Sequence, residues 1–98
     1  MTSVSGELRL TLHARRRARS LGVTIGDLQR IVGEDDVCET MPTLTDERTG
    51  KRLYGRAGEL ELHVILVVNP GDAMHTLTTV YEVLRDEFPD GRNRRRIR

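Results

Sequence analysis

The sequence predicts an α+β fold in which two N-terminal helices pack on a three- to four-stranded antiparallel sheet. Apolar residues recur at helical spacing between residues 12 and 33 and then alternate, as in strands, from about residue 37. Turn signals such as "NPGD" at 69–72 divide the second part into strand-length pieces. With 98 residues, of which 32% are charged, the chain is sufficient for a single domain with a modest core.

A short strand or extended stretch, "ELRLTL", comes first and leads into a helix of about three turns that begins at Thr11 or Leu12. Gly22 is expected to end this helix, because glycine adopts the left-handed conformation found at helix C-termini. The predicted buried side of the helix consists of Ala14, Ala18 and Leu21. Its other side carries His13, Arg16, Arg17 and Ser20.

The segment "VTIGDLQRIVG" predicts a second helix. Thr24 is a suitable N-cap, and Asp27 three residues later completes a pattern like a capping box. Gly33 is expected to stop the helix. Its predicted buried stripe consists of Leu28, Ile31 and Val32.

Strands are predicted for the rest of the domain. "VCETMPTLTDE" reads as a first strand at a sheet edge, because Pro42 cannot donate to a neighbouring strand. A hairpin closes near Ala57–Gly58, and the run "VILVV" is apolar on both faces, which favours a central strand. "MHTLTTVYEVL" predicts the last strand. The alternating apolar face of the second hairpin strand consists of Leu60, Leu62, Val64, Leu66 and Val68.

We expect one domain over residues 1–88, followed by a basic tail, 89–98, that turns at Pro89–Asp90–Gly91 and is flexible on its own. The N-terminus does not have the layout of a secretory signal, and no apolar run has membrane-spanning length, so a cytoplasmic protein is expected. The single cysteine, Cys38, lies among acidic residues that disfavour a thiolate, and we interpret it as inert.

The net charge of +1 conceals two arginine-rich segments without acids, one between residues 9 and 19 and one, "GRNRRRIR", at residues 91–98. Such segments can form a cationic patch that binds nucleic acid if the fold brings them together. A solvated helix face is the simpler interpretation. The residues predicted to contact nucleic acid are Arg15, Arg16, Arg94, Arg95 and Arg96.

The segment "HARRRARSLGVTIGDLQRIV", followed by a strand ending in "TTVYEV", resembles a small bacterial and phage domain family. That family opens with roughly H-A-x-x-R-x-x-x-R-G-I-[ST] and is grouped with the RelE/ParE-like toxins in the barnase–EndoU–colicin–RelE-like fold, which includes many ribonuclease toxins. His13, Ala14 and Arg17 match the opening of the pattern, whereas Leu21 stands where the second arginine is expected. The resemblance covers roughly residues 8–83. It implies a RelE-like domain, an RNA substrate and a cognate antitoxin as partner.

Four residues are candidates for metal-independent RNA cleavage by attack of the 2′-hydroxyl. His13 suits proton transfer near neutral pH, and Arg17 lies one turn later on the same helix face, where it can hold a phosphate. Thr79 and Tyr81 share a strand face and can complete the site. This constellation resembles the one that ribonuclease toxins use. Each residue also has an ordinary structural interpretation, and for His13 taken alone that interpretation is favoured.

Three functional hypotheses follow. The first is a toxin-type endoribonuclease without cofactor or metal, since the three histidines lack metal-ligand spacing. The alternative is a non-catalytic interaction module that binds nucleic acid or a protein partner, which Leu21 in place of the arginine favours. The third is a homodimer that pairs through an exposed sheet edge.

Overall fold

The computed structural model describes residues 8–42, 49–68 and 75–93. The elements follow one another as two helices placed between a short first strand and four longer ones. They are β1 (Leu8–Leu10), α1 (Leu12–Leu21), α2 (Ile25–Glu34), β2 (Val37–Pro42), β3 (Thr49–Ala57), β4 (Leu60–Val68) and β5 (His75–Glu82). None of the described helices is both long and apolar enough to cross a membrane.

The sheet has five strands in the order β1-β5-β4-β3-β2, and it is mixed rather than antiparallel. β1 runs parallel to β5, with Leu8 opposite His75 and Leu10 opposite Leu77. The prediction of two N-terminal helices on a three- to four-stranded antiparallel sheet is therefore wrong. A strand precedes the helices, and its three residues are too few to show a period that distinguishes a strand from an extended lead-in.

The local signals along the chain placed most element ends correctly. Thr24 and Asp27 form the capping box at the start of α2, and Gly22 ends α1 in the left-handed conformation. The hairpin between β3 and β4 closes at residues 58–59, and β4 is the central strand as predicted. Gly33 does not stop α2, because the helix continues to Glu34 and Asp35 adopts the left-handed conformation instead. Aspartate tolerates that region better than most residues.

Both helices pack on one face of the sheet and enclose the main core. α1 contributes Ala14 and Ala18, and α2 contributes Leu28 and Ile31, all of them completely or almost completely buried. The small alanines let α1 approach β5 closely. The sheet side of this core consists of Leu10, Leu53, Leu62, Val64, Leu66, Leu77 and Val80.

Residues 83–93, which we call the strap, cross the opposite face of the sheet. Phe88 of the strap is 1% exposed and lies against His63 of β4, with ring centres 4.5 Å apart. The predicted turn is present, since Gly91 has a φ of 86° and Asp90 accepts hydrogen bonds from the amides of Arg92 and Asn93. Residues 89–93 of the predicted tail therefore lie against the sheet. Residues 94–98 are outside the described part of the chain.

Candidate nucleic-acid interface

α1 lies along the edge of β5 beyond the point where β1 ends. The amide of Thr11 donates to Leu77 O at 3.1 Å, and the Thr11 hydroxyl donates to Thr78 O at 3.0 Å. One step further, Arg17 Nε donates to Val80 O at 3.5 Å. The first helix thus satisfies backbone carbonyls that a longer β1 would otherwise bind, and this places the exposed side of α1 next to β5.

His13 and Thr79 meet at this edge. The imidazole Nε2 of His13 lies 3.1 Å from the Thr79 hydroxyl, and the His13 side chain is exposed to solvent. Arg17, one turn along α1, contacts the next residue of β5. Three of the four predicted catalytic residues therefore lie at one place on the surface, within reach of a solvent-borne ligand.

Tyr81, the fourth predicted residue, is engaged elsewhere. It shares the face of Thr79, since Thr79 is opposite Ile65 and Tyr81 is opposite His63 in the β4–β5 register. Its hydroxyl accepts a hydrogen bond from Arg52 of β3, which lies further into the sheet. Tyr81 is half-buried, and its polar atom is directed to that arginine rather than to His13 or Arg17.

The arginines of β1 and α1 differ from the other cations in having no acidic partner. Within the described residues, no carboxylate forms an ion pair with any of the five that we call the α1 cluster: Arg9, Arg15, Arg16, Arg17 and Arg19. All five are exposed. The remaining described cations each have a carboxylate partner; they are Arg30, Lys51, Arg52, Arg56, Arg85 and Arg92.

Two adjoining clefts follow the α1 cluster. One, of about 220 Å³, is lined by Leu12 with Arg15, Arg16 and Arg19. The other, of about 350 Å³, lies between α1 and the start of α2, and Arg15 and Arg19 also line it. The predicted contacts Arg15 and Arg16 therefore lie on the same helix as His13 but around its side. Arg94, Arg95 and Arg96 are outside the described residues.

The remaining histidines and the cysteine lie outside this site. His63 is fully buried and its Nε2 donates to Gly91 O at 2.9 Å, so it fixes the strap. His75 is half-buried, and its Nδ1 has no hydrogen-bond partner among the described residues. Burial raises the pKa of the Cys38 thiol, in agreement with its interpretation as inert. The described residues contain no group of three or more potential ligands that could hold a metal ion.

Sequence reasoning missed Arg52, which is only 6% exposed. Its Nε donates to Glu39 at 3.0 Å, and its guanidinium carbon lies 5.0 Å from the centre of the Phe88 ring. The available signal was the alternation of β3, in which Arg52, Tyr54 and Arg56 occupy the face away from the helices. Nothing local indicated that a distant segment would cover this face. No protein-family model, no curated protein and no solved structure matches the chain, so the resemblance to the RelE-like group stays a prediction.

Proposed function

We propose that the protein binds the phosphate backbone of RNA through the α1 cluster. The observation that supports this most strongly is that five exposed arginines lie close together without an acidic partner in the described structure. Like charges one turn apart on a helix destabilise it, so their accumulation on α1 has a cost. A polyanion removes that cost by neutralising the arginines.

Arginine is also the residue type best suited to this ligand. Its planar guanidinium donates two parallel hydrogen bonds to a phosphate, whereas a lysine ammonium acts as a point charge. The two clefts keep Arg15 and Arg19 within reach of the same ligand, because both residues line both clefts. A backbone that follows α1 can therefore contact several arginines in sequence.

Salt dependence of RNA binding tests this proposal. The logarithm of the binding constant falls as the logarithm of the salt concentration rises. Replacing Arg15 and Arg16 together by alanine should make this negative slope shallower by about 1.4, since each lost phosphate contact with a single strand contributes about 0.7. Fluorescence anisotropy with a labelled single-stranded RNA measures the slope. The matched control is the double variant Arg30→Ala with Arg56→Ala, which removes the same charge from two exposed, ion-paired positions. Equal losses in the two double variants would show that net charge, and not the α1 cluster, drives binding.

RNA cleavage is a second candidate function, favoured by the 3.1 Å contact between His13 and Thr79. An imidazole held by a hydroxyl, beside a guanidinium one turn away, can accept the proton of a 2′-hydroxyl as that oxygen attacks the phosphorus, while the arginine stabilises the phosphate. The P–O5′ bond then breaks, and the leaving 5′-oxygen takes a proton from water. Because the Tyr81 hydroxyl is bonded to Arg52, Tyr81 does not join His13, Arg17 and Thr79 as the fourth member of the predicted site. Cleavage is therefore proposed on His13 as the proton-transfer group, with Arg17 and Thr79 in support.

The products of incubation with RNA in EDTA test cleavage. The wild-type protein should leave 2′,3′-cyclic phosphate ends, and His13→Ala should abolish them while RNA affinity stays within about twofold, because His13 is one exposed contact among several. Thr79→Val should lower the rate without removing activity. Absence of cyclic phosphate ends with the wild-type protein would exclude this second candidate and leave the binding proposal standing.

A further inference from the structure

Three rings form a row straight across the face of the sheet that the helices do not cover. Tyr54 of β3 is opposite His63 of β4, and His63 is opposite Tyr81 of β5. The ring centres of Tyr54 and His63 are 6.4 Å apart, and those of His63 and Tyr81 are 5.8 Å apart, both with edge-to-face geometry. We call these three residues the aromatic row. Both tyrosines of the chain belong to it.

The strap places a ring and a cation on the aromatic row. Phe88 meets His63 edge-to-face, and the guanidinium carbon of Arg92 lies 5.6 Å from the centre of the Tyr54 ring. Gly91 passes so close that a β-carbon there would be 3.4 Å from the Tyr54 ring. Through Phe88 and Arg92, the strap thus places a flat ring followed by a charged group on this surface. A ligand with the same two features would fit the surface in place of the strap.

Electrostatic contacts at the margins hold much of the strap. Arg92 binds both carboxylate oxygens of Asp36, one of them at 2.6 Å, and Arg85 binds Glu61. The side chains of Arg92 and Asp36 are 42% and 39% exposed, so solvent and salt screen their attraction. Leu84 at the start of the strap is 49% exposed. Phe88 and Val83 are therefore the buried apolar anchors of the strap.

When the strap is absent, the surface under it loses the bond from His63 Nε2 to Gly91 O, but the hydrogen bonds of Arg52 remain. Arg52 donates to Glu39 of β2 and to Tyr81 of β5, and both partners belong to the sheet. The strap places the Phe88 ring against the guanidinium of Arg52. Release of the strap would therefore leave an aromatic surface in place whose buried cation, Arg52, stays paired.

We infer that the strap is an internal cover that polyphosphate releases, and that the aromatic row beneath it then stacks on the bases of the bound nucleic acid. This inference rests on the proposed RNA binding. Phosphate groups compete with Asp36 and Glu61 for Arg92 and Arg85, since phosphate is an equivalent bidentate partner for arginine. The uncovered tyrosines and His63 present ring faces to bases, and such stacking is tolerant of sequence.

Hydrogen–deuterium exchange and binding assays on the full chain test the two steps separately. The probes are a short oligoadenylate and an inorganic polyphosphate of equal length, which share charge but differ in bases. Polyphosphate should raise amide exchange in residues 83–93 of the wild-type protein by at least about tenfold. Asp36→Asn should do the same without a probe, and Arg92→Gln serves as a second variant that breaks the same contact.

The ratio of the affinity for oligoadenylate to the affinity for polyphosphate isolates the contribution of the bases to binding. In Asp36→Asn the strap is open without a probe, whereas a probe opens it in only a fraction of the wild-type molecules, so this ratio should rise by up to about fivefold, the contribution of one stacked base. Glu34→Gln is the matched control, because it removes an equal charge from a helix-end pair with Arg30 that does not touch the strap. Its ratio should stay at the wild-type value.

Three results would overturn the inference. The first is wild-type exchange that polyphosphate does not change. The second is slow exchange in both Asp36→Asn and Arg92→Gln. The third is a loosened strap with an unchanged binding ratio. Failure of the proposed function gives a different pattern, in which the wild-type protein binds neither probe.

Discussion

Gly55 determines how closely α2 approaches β3. A β-carbon at this position would lie 2.5 Å from Cγ1 and 2.7 Å from Cγ2 of Ile31, which is completely buried. Real β-carbons do not approach other atoms so closely, so any larger residue forces Ile31 or the helix to move. The glycine is required here by contact and not by backbone conformation, because its φ is not positive.

Gly55→Ala should lower the free energy of unfolding by about 1–3 kcal/mol, the usual cost of overpacking a core. Urea unfolding followed by circular dichroism measures it. Adding Ile31→Ala to this variant removes the clashing atoms, so the double variant should lose less than the sum of the two single losses.

Gly26→Ala is the control, since the nearest atom to its added β-carbon is Thr24 Oγ1 at 3.7 Å. It should be neutral or slightly stabilising, because alanine favours a helix interior over glycine. Additive losses for Gly55→Ala and Ile31→Ala would contradict the proposed contact.

At the level of elements, α1 is fixed to the sheet by the residue that also starts it. The Thr11 hydroxyl accepts from the Ala14 amide as an N-cap and donates to Thr78 O. Thr24 caps α2 by the same type of bond, but among the residues that the structure describes its hydroxyl is bonded only within its own capping box. The two threonines therefore differ by one tertiary hydrogen bond.

Thr11→Ala should cost more stability than Thr24→Ala. Loss of either cap costs about 1 kcal/mol, and loss of the bond to Thr78 O adds about 0.5–1.5 kcal/mol. Thermal or urea unfolding of the two variants side by side gives the difference directly. A larger loss for Thr24→Ala would mean that the Thr11–Thr78 bond contributes nothing to the attachment of α1.

Across the whole molecule, the two faces of the sheet use charge in opposite ways. The helix side carries the unpaired α1 cluster, whereas every described cation around the strap has a carboxylate. Hydrogen bonds from Arg92 lower the pKa of Asp36, and hydrogen bonds from the Asn93 and Arg92 amides lower the pKa of Asp90 from 3.8 to about 2. The hydroxyl of Tyr54 and the guanidinium of Arg85 lower the pKa of Glu61.

Acid should therefore loosen the strap. A carboxylate whose pKa is lowered in the folded state stabilises that state fully above its unfolded pKa, and the contribution is lost as the pH falls through the folded pKa. For Asp90 this interval runs from 3.8 down to about 2. Intrinsic tyrosine fluorescence reports the change, since both tyrosines lie on the covered face.

Asp90→Ala should show part of this fluorescence change already at neutral pH and a smaller change on acidification. Glu59→Ala, in the exposed turn between β3 and β4, is the control and should follow the wild-type curve. Identical acid curves for Asp90→Ala and the wild-type protein would show that the Asp90 turn does not hold the strap.

The parts of the fold that sequence predicts are those whose cause lies within a few residues. The cap of α2, the end of α1 and the β3–β4 hairpin depend on Thr24, Gly22 and the turn after Ala57, and each was predicted from its neighbours. The parallel pairing of β1 with β5 depends on residues that are far apart, and β1 itself is too short to show periodicity. The same limit applies to Arg52 and Phe88, whose contact no local pattern encodes.

For the candidate site, helical spacing placed His13 and Arg17 together, and strand alternation placed Thr79 and Tyr81 on one face. Neither the helical nor the strand periodicity predicts which groups the polar atoms of these side chains contact. The His13–Thr79 contact exists because α1 follows the edge of β5, and Tyr81 bonds to Arg52 because β3 and β5 flank β4. Periodicity assigns a side chain to a face, but only the strand order decides its neighbours.

The pairing of β1 with β5 has a consequence for synthesis on the ribosome. Thr11 and Thr78, which join the start of α1 to the last strand, are 67 residues apart, so the sheet cannot close until nearly all of the described chain has left the exit tunnel. Both helices can form earlier, because their caps are local. Until β5 emerges, the nascent chain exposes the apolar side of β4 and an arginine-rich helix beside ribosomal RNA.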